Sequence, residues 1–477
     1  MRQPSPRLER PDAWGTSRAS RLFPGWWLAH ADLHNHTRLS DGAGDPRLAF
    51  ASMREAGLDV AALTDHSRWA SAFLNVRKAP GWTGIDARAW RQTIDLAEAA
   101  NADGEFVALH GFEWSHAAYG HMNVWNSQGF TDPLRTAPTM SRFWRWLERN
   151  GADGLAGFNH PGTGRLRFAG FAYQPVHAQR LVSLELFNKL EEYLFKDTDR
   201  GGQSPLCQCL NAGWRVGLLG VTDEHGADWG RPDGKGRAGL WVRELTRAGV
   251  LEALSARRFF ASRVKGLRLD AALTSLAGGD PPRRARMGTA VAHPGGPVRI
   301  EVDLDRGEAW QGRRLNLQVL RPGERLPALA AAMDVTLPGP QDPVASLELD
   351  LDPADGDWVV LRVTDPADPP DPRAPGEWAR LGRGIAYTSP FWLERPWGTW
   401  STRSATESTI REGRNGNRCA SSREVMPERT RIVCRPASIP AITSVSIRSP
   451  IITVASECAS IARKASRSIS GLGLPTK

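Results

Sequence analysis

The sequence predicts an α/β fold in which a barrel of alternating strands and helices is followed by a smaller β-rich part. From about Arg21 to Ser262, short apolar runs alternate with helix-like segments, a pattern typical of a parallel sheet covered by helices. Several of the apolar runs end in clusters of histidine and carboxylate residues. The functional side chains of a (β/α) barrel lie at the carboxyl ends of its strands, so these observations favour a barrel over an open sheet.

The elements of the barrel follow from local signals. Asp45 is a suitable N-cap for the first helix, Pro46 suits its first position, and Gly57 follows its end. Apolar runs predict strands at 60–63, 106–109, 155–158, 181–187 and 216–221. Further helices are predicted at 86–100, 141–149, 204–212 and 246–258.

The pattern changes after Ser262, where proline- and glycine-rich turns separate short alternating runs. Such spacing is typical of a small β-sandwich. Strands are predicted at 267–273, 298–304, 315–320, 346–351, 358–363 and 384–393. We therefore expect an α/β barrel over 22–263 and a β-rich accessory domain over 264–394.

Residues 395–477 differ from both parts because they show no sustained strand or helix period and contain no aspartate. Two interpretations remain open. The segment is a low-order basic tail, or it is an out-of-frame extension after a natural end near Glu394. Resequencing the gene across this junction distinguishes them.

Composition limits the possible functions. The chain has 41% hydrophobic and 24% charged residues, typical of a soluble globular protein. No apolar run has the length of a membrane span or a secretory signal, so we expect a cytoplasmic protein that does not enter a membrane. The net charge of +9 lies mainly in the tail and leaves the remainder nearly neutral, so no nucleic-acid partner is expected. The oligomeric state stays open.

Six of the eleven histidines lie in the polar clusters, usually beside a carboxylate. His34 and His36 are two positions apart after one apolar run, so their side chains can address one ion. Asp223 and His225 repeat this spacing. The full set of candidate metal ligands is His34, His36, Asp41, His66, Glu113, His121, His160, Asp223 and His225. A catalytic ion takes three or four protein ligands, so nine donors predict two or three divalent ions.

Clustered divalent ions predict hydrolysis by activated water, because they lower the pKa of a bound water and neutralise charge on a phosphoryl oxygen. The sequence has no G-x-S-x-G motif and no P-loop motif, so serine-hydrolase and P-loop mechanisms have no support. The C-x-C pair Cys207 and Cys209 is interpreted as a pair of buried thiols within a helix.

The ordered motifs resemble those of the PHP (polymerase and histidinol phosphatase) superfamily. The resemblance covers about residues 28–263. It rests on Asp32-Leu33-His34-Asn35-His36, Ser40-Asp41-Gly42, Thr64-Asp65-His66, Asn159-His160-Pro161 and Asp223-Glu224-His225. The segments Gly111-Phe112-Glu113-Trp114 and Gly120-His121-Met122-Asn123 are similar to its CehA/McbA-like branch. The resemblance implies a distorted (β/α)7 TIM-like barrel, two or three ions of zinc, manganese or iron, and hydrolysis of phosphate esters.

The resemblance also implies residue roles. One metal position matches His34, His36, Glu113 and Asp223; a second matches Glu113, His121 and His160; a third matches Asp41, His66 and His225. Among these, Glu113, Asp223 and His225 are expected to be catalytic. Asp65 is expected to orient His66 or a ligand water. Glu185, Asn188 and Arg165 are candidate substrate or supporting residues.

Three functions remain open for this site. The first is a phosphoesterase that uses metal-activated hydroxide on a small-molecule ester. The second is a carbamate or carboxylic ester hydrolase on the same centre, which stays open because few Arg or Lys residues lie beside the ligand motifs. The third is a non-catalytic, metal-stabilised binding module. Among the other histidines, His110 is predicted to lie in the core, and His30, His116, His177 and His293 are predicted to be surface or loop residues.

Overall fold

The computed structural model describes residues 5–67, 84–150, 153–162, 166–277, 282–337 and 345–396. Arg165 lies outside these residues, and so does the predicted tail apart from residues 395–396. Within the described part, no helix is both long and apolar enough to cross a membrane.

The helices predicted from sequence are present with small changes at their ends. The Asp45 carboxylate accepts a hydrogen bond from the backbone N–H of Arg47, and the Asp86 carboxylate accepts from those of Arg88 and Ala89. These contacts satisfy amides that the first helical turn leaves free. The helices are α1 (Pro6–Glu9), α2 (Pro46–Glu55), α3 (Ala87–Ala100), α4 (Met140–Asn150), α5 (Phe168–Phe171), α6 (Pro205–Asn211), α7 (Arg247–Ser255) and α8 (Gly376–Arg380).

The strands of the first part include all the predicted ones and several that were not predicted. They are β1 (Trp27–Asp32), β2 (Val60–Leu63), β3 (Val107–His116), β4 (Gly120–Trp125), β5 (Leu155–Phe158), β6 (Leu181–Asn188), β7 (Glu191–Glu192), β8 (Gly217–Val221), β9 (Arg237–Val242) and β10 (Phe259–Ser262). Nearly all residues of these strands are buried, because helices and neighbouring strands cover both faces.

The sheet is mixed, so the expectation of a parallel sheet is wrong in part. β1, β2 and β3 pair in parallel, as do β5, β6 and β8. β4 pairs antiparallel with both β3 and β5, and β9 pairs antiparallel with β1 and β10. Only three residues join β3 to β4, a connection too short for the crossover that parallel neighbours require. Gly120 begins β4 with φ +91°, a conformation that favours glycine.

The strands predicted after Ser262 are present, except that the one predicted at 384–393 is divided into two at Ser389 and Pro390, and three strands were not predicted. They are β11 (Arg268–Ser275), β12 (Arg284–Arg286), β13 (Ala290–Ala292), β14 (Gly296–Asp305), β15 (Arg314–Arg321), β16 (Ala328–Thr336), β17 (Ala345–Leu351), β18 (Trp358–Asp365), β19 (Arg383–Thr388) and β20 (Phe391–Glu394). β12, β11, β14 and β17 form a four-stranded sheet. The others join the large sheet, where β19 pairs antiparallel with β10.

An apolar core lies between the small sheet and the strands of the large sheet that face it. Leu269 and Ile300 of the small sheet belong to one buried cluster with Leu317 and Leu361 of the large sheet. Two sheets packed over an apolar core are the arrangement of a β-sandwich. Through β19 and β10 this β-rich part is continuous with the strands that carry the histidine clusters.

Several predictions about single residues need correction. His30, His177 and His293 are buried rather than on the surface, and His30 Nε2 lies 2.8 Å from Asp12 Oδ2. Apolar neighbours in sequence do not reveal such tertiary partners. The thiols of Cys207 and Cys209 are buried, as expected.

Candidate metal centre

The two histidines after β1 meet one further ligand atom, from Asp223, at the centre of the site. His34 and His36 are fully buried, and their Nε2 atoms lie 3.0 Å apart. Asp223 Oδ1 lies 3.5 Å from His34 Nε2 and 3.1 Å from His36 Nε2. Ligand atoms about 2.1 Å from one tetrahedral ion lie about 3.4 Å from each other. The three edges of this triangle therefore have the dimensions of a divalent metal site.

Glu113 lies where several histidines converge. Its Oε1 atom is 3.3 Å from His34 Nε2, 3.3 Å from His121 Nδ1 and 3.2 Å from His160 Nε2. Its Oε2 atom is 2.5 Å from His66 Nδ1. A carboxylate with each oxygen directed at different nitrogen donors can bridge two cations.

A third group of donors surrounds Asp41. Asp41 Oδ1 lies 3.5 Å from His66 Nε2, and Oδ2 lies 3.4 Å from His225 Nε2. His36 Nδ1 lies 4.0 Å from Asp41 Oδ1, so the two ring nitrogens of His36 face two different groups. His36 therefore connects the Asp41 group to the triangle around Asp223.

All nine candidate ligands lie in this one cluster, although their grouping differs from the one that the resemblance implies. The donor sets within reach of a single ion are His36, Asp41, His66 and His225; His34, His36 and Asp223; His34, Glu113 and His160; and His66, Glu113 and His121. His66 thus approaches Glu113 and His121 as well as Asp41. His34, His36, His66 and Glu113 each belong to two of these sets, as shared ligands do in multinuclear centres.

The cluster contains buried polar atoms that have no hydrogen-bond partner within the described part of the protein. Among the described residues, His36 Nδ1 and Asp223 Oδ1 have no hydrogen-bond partner, although both atoms are shielded from solvent. An unsatisfied buried polar atom costs about 1–3 kcal/mol. Imidazole nitrogens and carboxylate oxygens are the donors that zinc, manganese and iron accept. The residues therefore fit divalent metal ions.

The pKa values of His34 and His36 are shifted in opposite directions. Burial alone lowers the pKa of His34, but the carboxylates of Asp223 and Glu185 overcome it and raise the pKa well above the ordinary value. Burial lowers the pKa of His36, and the neighbouring His66 lowers it further. Adjacent imidazoles therefore cannot all carry protons, and divalent cations can supply the positive charge that the carboxylates need.

Glu185 contacts two of the candidate ligands, His34 and His160. Its Oε1 atom lies 2.8 Å from His34 Nδ1, and its Oε2 atom accepts a hydrogen bond of 2.7 Å from the backbone N–H of His160. Asn188 Nδ2 donates to Oε2 at 2.9 Å. A carboxylate on Nδ1 leaves Nε2 of the same ring free for an ion and makes it a stronger donor.

Two ligands occupy backbone conformations that residues other than glycine rarely adopt. His160 has φ +23° and Asp223 has φ +47°. Such conformations cost about 1–3 kcal/mol each and persist where the surroundings enforce them, often at functional sites. The contact of the His160 amide with Glu185 is one such constraint.

Asp65 holds the loop that follows His36, and its expected role in orienting His66 or a ligand water stays a prediction. Its carboxylate accepts hydrogen bonds from Thr37 N (2.7 Å), Thr37 Oγ1 (2.8 Å) and Ser40 Oγ (2.6 Å). All three donors belong to the loop that leads to Asp41. Asp65 therefore fixes the loop that presents Asp41.

Sequence reasoning missed several polar residues at the site. Ser115 Oγ lies 2.6 Å from His66 Nδ1, and Asn159 Nδ2 donates to Glu113 Oε1 at 2.7 Å. Ser115 is two positions after Glu113 on β3, so the period of the strand could have indicated it. Lys189 Nζ lies 3.3 Å from Asp223 Oδ2. No motif marks this lysine, which follows β6 with φ +52°.

An open cavity of about 340 Å³ gives access to the centre. His225 is the most exposed of the six clustered histidines, with 29% of its side chain accessible. The residues that line the cavity are Asp41, His66, His121, His160, Asn188, Lys189, Glu191, Tyr193, Asp223 and His225. We name it the metal cavity.

Comparisons with known proteins give partial matches. A model of a family of unknown function, DUF3604, matches residues 50–162. Comparison with curated proteins gives no match. A solved two-domain protein from Bacteroides vulgatus contains a predicted PHP-like metal-dependent phosphoesterase; it is 15% identical, with a TM-score of 0.39, over 82% of this chain and all of that one (100%).

Two other solved structures are similar over a smaller share. A candidate metal-dependent phosphoesterase from Bifidobacterium adolescentis is 16% identical over 42% of this chain and 88% of that one, with a TM-score of 0.25. An amidohydrolase from Chromobacterium violaceum, solved with bound sulfate and no metal, is 13% identical over 42% and 88%, with a TM-score of 0.23. At these low values, the functional interpretation rests on the geometry of the nine donors in this chain.

Proposed function

We propose that this chain is a metal-dependent hydrolase of small-molecule esters, with a phosphate ester as the preferred substrate. The observation that supports it most strongly is the convergence of six histidines and three carboxylates at the bottom of an open cavity. Donor atoms 3.0–3.5 Å apart match the spacing of ligands on shared divalent ions. The proposal includes two or three ions of zinc, manganese or iron.

The roles of the residues follow from their positions. When bound, divalent ions supply an activated water and neutralise charge on the reacting ester. Glu113 and Asp223 bring negative charge to the ions and orient the histidines. His225 lies at the mouth of the cavity with Nε2 3.4 Å from Asp41 Oδ2, where it can exchange a proton with the substrate. Lys189 Nζ lies at the same rim, 3.3 Å from Asp223 Oδ2, and can donate to an anionic substrate oxygen.

The fold and family assignments belong to the same proposal. We infer that the strands close into a distorted (β/α)7 barrel of PHP type, because β8 closely approaches β9 and β10. A Cβ atom at Gly220 would lie 2.3 Å from Arg237 O and 2.8 Å from Ser262 O. The motifs quoted above support the CehA/McbA-like branch.

Charge at the mouth of the metal cavity favours one alternative function. Among the described residues that line it, Lys189 is the one lysine or arginine, and Glu191 is also present. A doubly charged phosphate monoester needs more cationic donors than a neutral ester. A carbamate or carboxylic ester substrate is therefore the second candidate, and a binding module without catalysis is the third.

Hydrolysis assays on the metal-reconstituted full chain test the proposal. The substrates are p-nitrophenyl phosphate, its bis-ester and naphthyl N-methylcarbamate, each with manganese, zinc or iron. His160→Ala removes one ligand, and His116→Ala removes a histidine outside the cluster as a matched control. Phosphate release that depends on metal and is lost only in His160→Ala supports the phosphoesterase. Turnover of the carbamate alone favours the second candidate, and tight metal binding without turnover favours the third.

A further inference from the structure

A second cavity lies next to the metal cavity and is lined by arginines. It has a volume of about 510 Å³. We name it the arginine cavity; it is lined by Leu190, Glu191, Glu192, Arg263, Pro369, Pro370, Asp371, Pro372, Arg373 and Arg383. Both the end of β10 and the β-rich part contribute residues, so it forms where the two parts of the chain meet.

One short segment forms the wall between the two cavities. Asn188, Lys189 and Tyr193 line the metal cavity, whereas Leu190 and Glu192 line the arginine cavity. Glu191 lines both cavities, so they are adjacent. A molecule bound at the metal centre can therefore extend over Glu191 into the arginine cavity.

The carboxylates of the arginine cavity already have cationic partners. Glu192 Oε1 lies 3.0 Å from Arg362 Nη2, and Glu191 Oε2 lies 3.1 Å from Lys196 Nζ. Asp371 Oδ2 lies 2.7 Å from Arg373 Nη2. Each of the three acidic groups is therefore neutralised by a residue other than Arg263 or Arg383.

Arg263 and Arg383 have no such partner. Arg263 is buried, with 7% of its surface accessible, and its guanidinium makes no hydrogen bond or ion pair with any residue that the structure describes. The group lies over the Phe187 ring, 4.6 Å from the centroid, which covers one face and leaves the N–H edge available. Arg383 also lacks an ion pair within the described ranges and adds a second positive charge. Burial lowers the pKa of Arg263; the carboxylates of Glu192 and Asp371 oppose this effect from a distance, and the positive charge of Arg383 adds to it.

A buried guanidinium without a hydrogen-bonded ion pair is costly, and an oxyanion in the cavity supplies such a pair. We propose that the arginine cavity binds a carboxylate or phosphate group of the substrate, remote from the ester that lies at the metal centre. The substrate is thus an ester with a second anionic group, held by Arg263 and Arg383. The substrate part of this inference rests on the proposed function, whereas oxyanion binding by the cavity does not.

Sulfate binding tests the cavity independently of catalysis. The Kd for sulfate is measured by calorimetry on the zinc-loaded full chain at pH 8, with Arg263→Met and Arg383→Met as variants. Arg314→Met, which removes an exposed arginine paired with Asp334, is the matched control. We expect sulfate to bind about tenfold more weakly to either cavity variant than to the wild type or the control. Equal affinity in all four proteins, or no binding to the wild type, overturns the proposal.

Substrate preference tests the remaining part. Phenyl phosphate is compared with phenyl phosphates that carry a para-carboxylate or a para-carboxyethyl arm. We expect a lower KM for at least one carboxylated ester in the wild type, and loss of that preference in both cavity variants, while zinc content and Tm are unchanged. A preference that survives both substitutions overturns the assignment. If no ester is hydrolysed, the proposed function is wrong. The oxyanion site is then tested by the sulfate measurement alone.

Discussion

Two buried polar clusters, one around Glu192 and one around Glu113, differ in how their charges are neutralised. In the first, around Glu192, Arg362 Nε and Nη2 donate to Glu192 Oε1, Arg362 Nη1 donates to Gln318 Oε1 at 3.0 Å, and the Tyr387 hydroxyl also donates to Glu192. The Glu192 charge is therefore paired within the protein through Oε1, although Glu192 Oε2 has no hydrogen-bond partner among the described residues.

The second cluster, around Glu113, has its donor atoms directed at one another across a small space. His34 Nε2 faces His36 Nε2, and His36 Nδ1 and Asp223 Oδ1 have no hydrogen-bond partner among the described residues. The comparison suggests a general criterion. A buried carboxylate paired with a guanidinium of the protein stabilises the fold, whereas buried carboxylates that face several imidazoles are suited to binding cations.

The largest expected effect comes from Glu113→Gln. The substitution removes the charge that faces five histidines, so we expect metal to be lost and hydrolysis to fall by about 10³-fold or more. Metal content and kcat/KM are measured on the same samples, with thermal unfolding as a check of folding. Retention of full metal content and activity would show that Glu113 is not a ligand.

Arg362→Met removes the cationic partner of Glu192 in the other cluster. Glu192 is left buried without its partner, which lowers the free energy of unfolding by about 3–5 kcal/mol. Urea unfolding measures the loss, and the metal content of the folded fraction is expected to be unchanged. The double variant Glu192→Gln with Arg362→Met is expected to recover part of the stability, because it removes the uncompensated charge. A double variant no more stable than Arg362→Met would refute this account.

Metal affinity is expected to rise with pH. Carboxylates raise the pKa of His34, His66 and His160 despite the opposing effect of burial. Protons therefore compete with metal at these rings up to a higher pH than at an ordinary histidine. If one proton is released per ion, the affinity for zinc increases about 100-fold from pH 6 to pH 8. Chelator competition at both pH values measures it, and an affinity independent of pH contradicts the prediction.

Glu185→Gln is expected to have the smallest effect. The amide still contacts His34 Nδ1 but no longer brings negative charge, so metal affinity falls by about 10–100-fold. The same chelator competition measures this change. Lys235→Met is a control that removes the partner of Glu224, a residue outside the nine candidate ligands. Equal metal affinity in Glu185→Gln and the wild type would mean that Glu185 only positions the backbone of His160.

The extent to which sequence predicts this molecule depends on the range of the interactions involved. Local signals were sufficient for the helix that Asp45 caps and for strand 60–63, because capping and apolar runs act within a few residues. They were insufficient for the hairpin of β3 and β4, which carries Glu113 and His121 and interrupts the parallel order.

Within the site, too, local sequence patterns predicted some features, whereas those that depend on long-range packing were missed. The i, i+2 spacing of His34 and His36 predicted their convergence, since a strand or extended segment directs both to one face. The role of Lys189 and the adjacency of the arginine cavity depend on how distant segments pack, so no local pattern indicates them. His30, buried against Asp12, was misassigned for the same reason.

The central claim is that the nine converging donors bind divalent metal ions. Its most direct test is the metal content of the full chain after reconstitution with zinc and exhaustive dialysis, measured by plasma mass spectrometry beside Glu113→Gln. The account predicts two or three tightly held ions per chain and a loss of at least one in the variant. Less than one ion per folded wild-type chain, with zinc, manganese and iron alike, would contradict it.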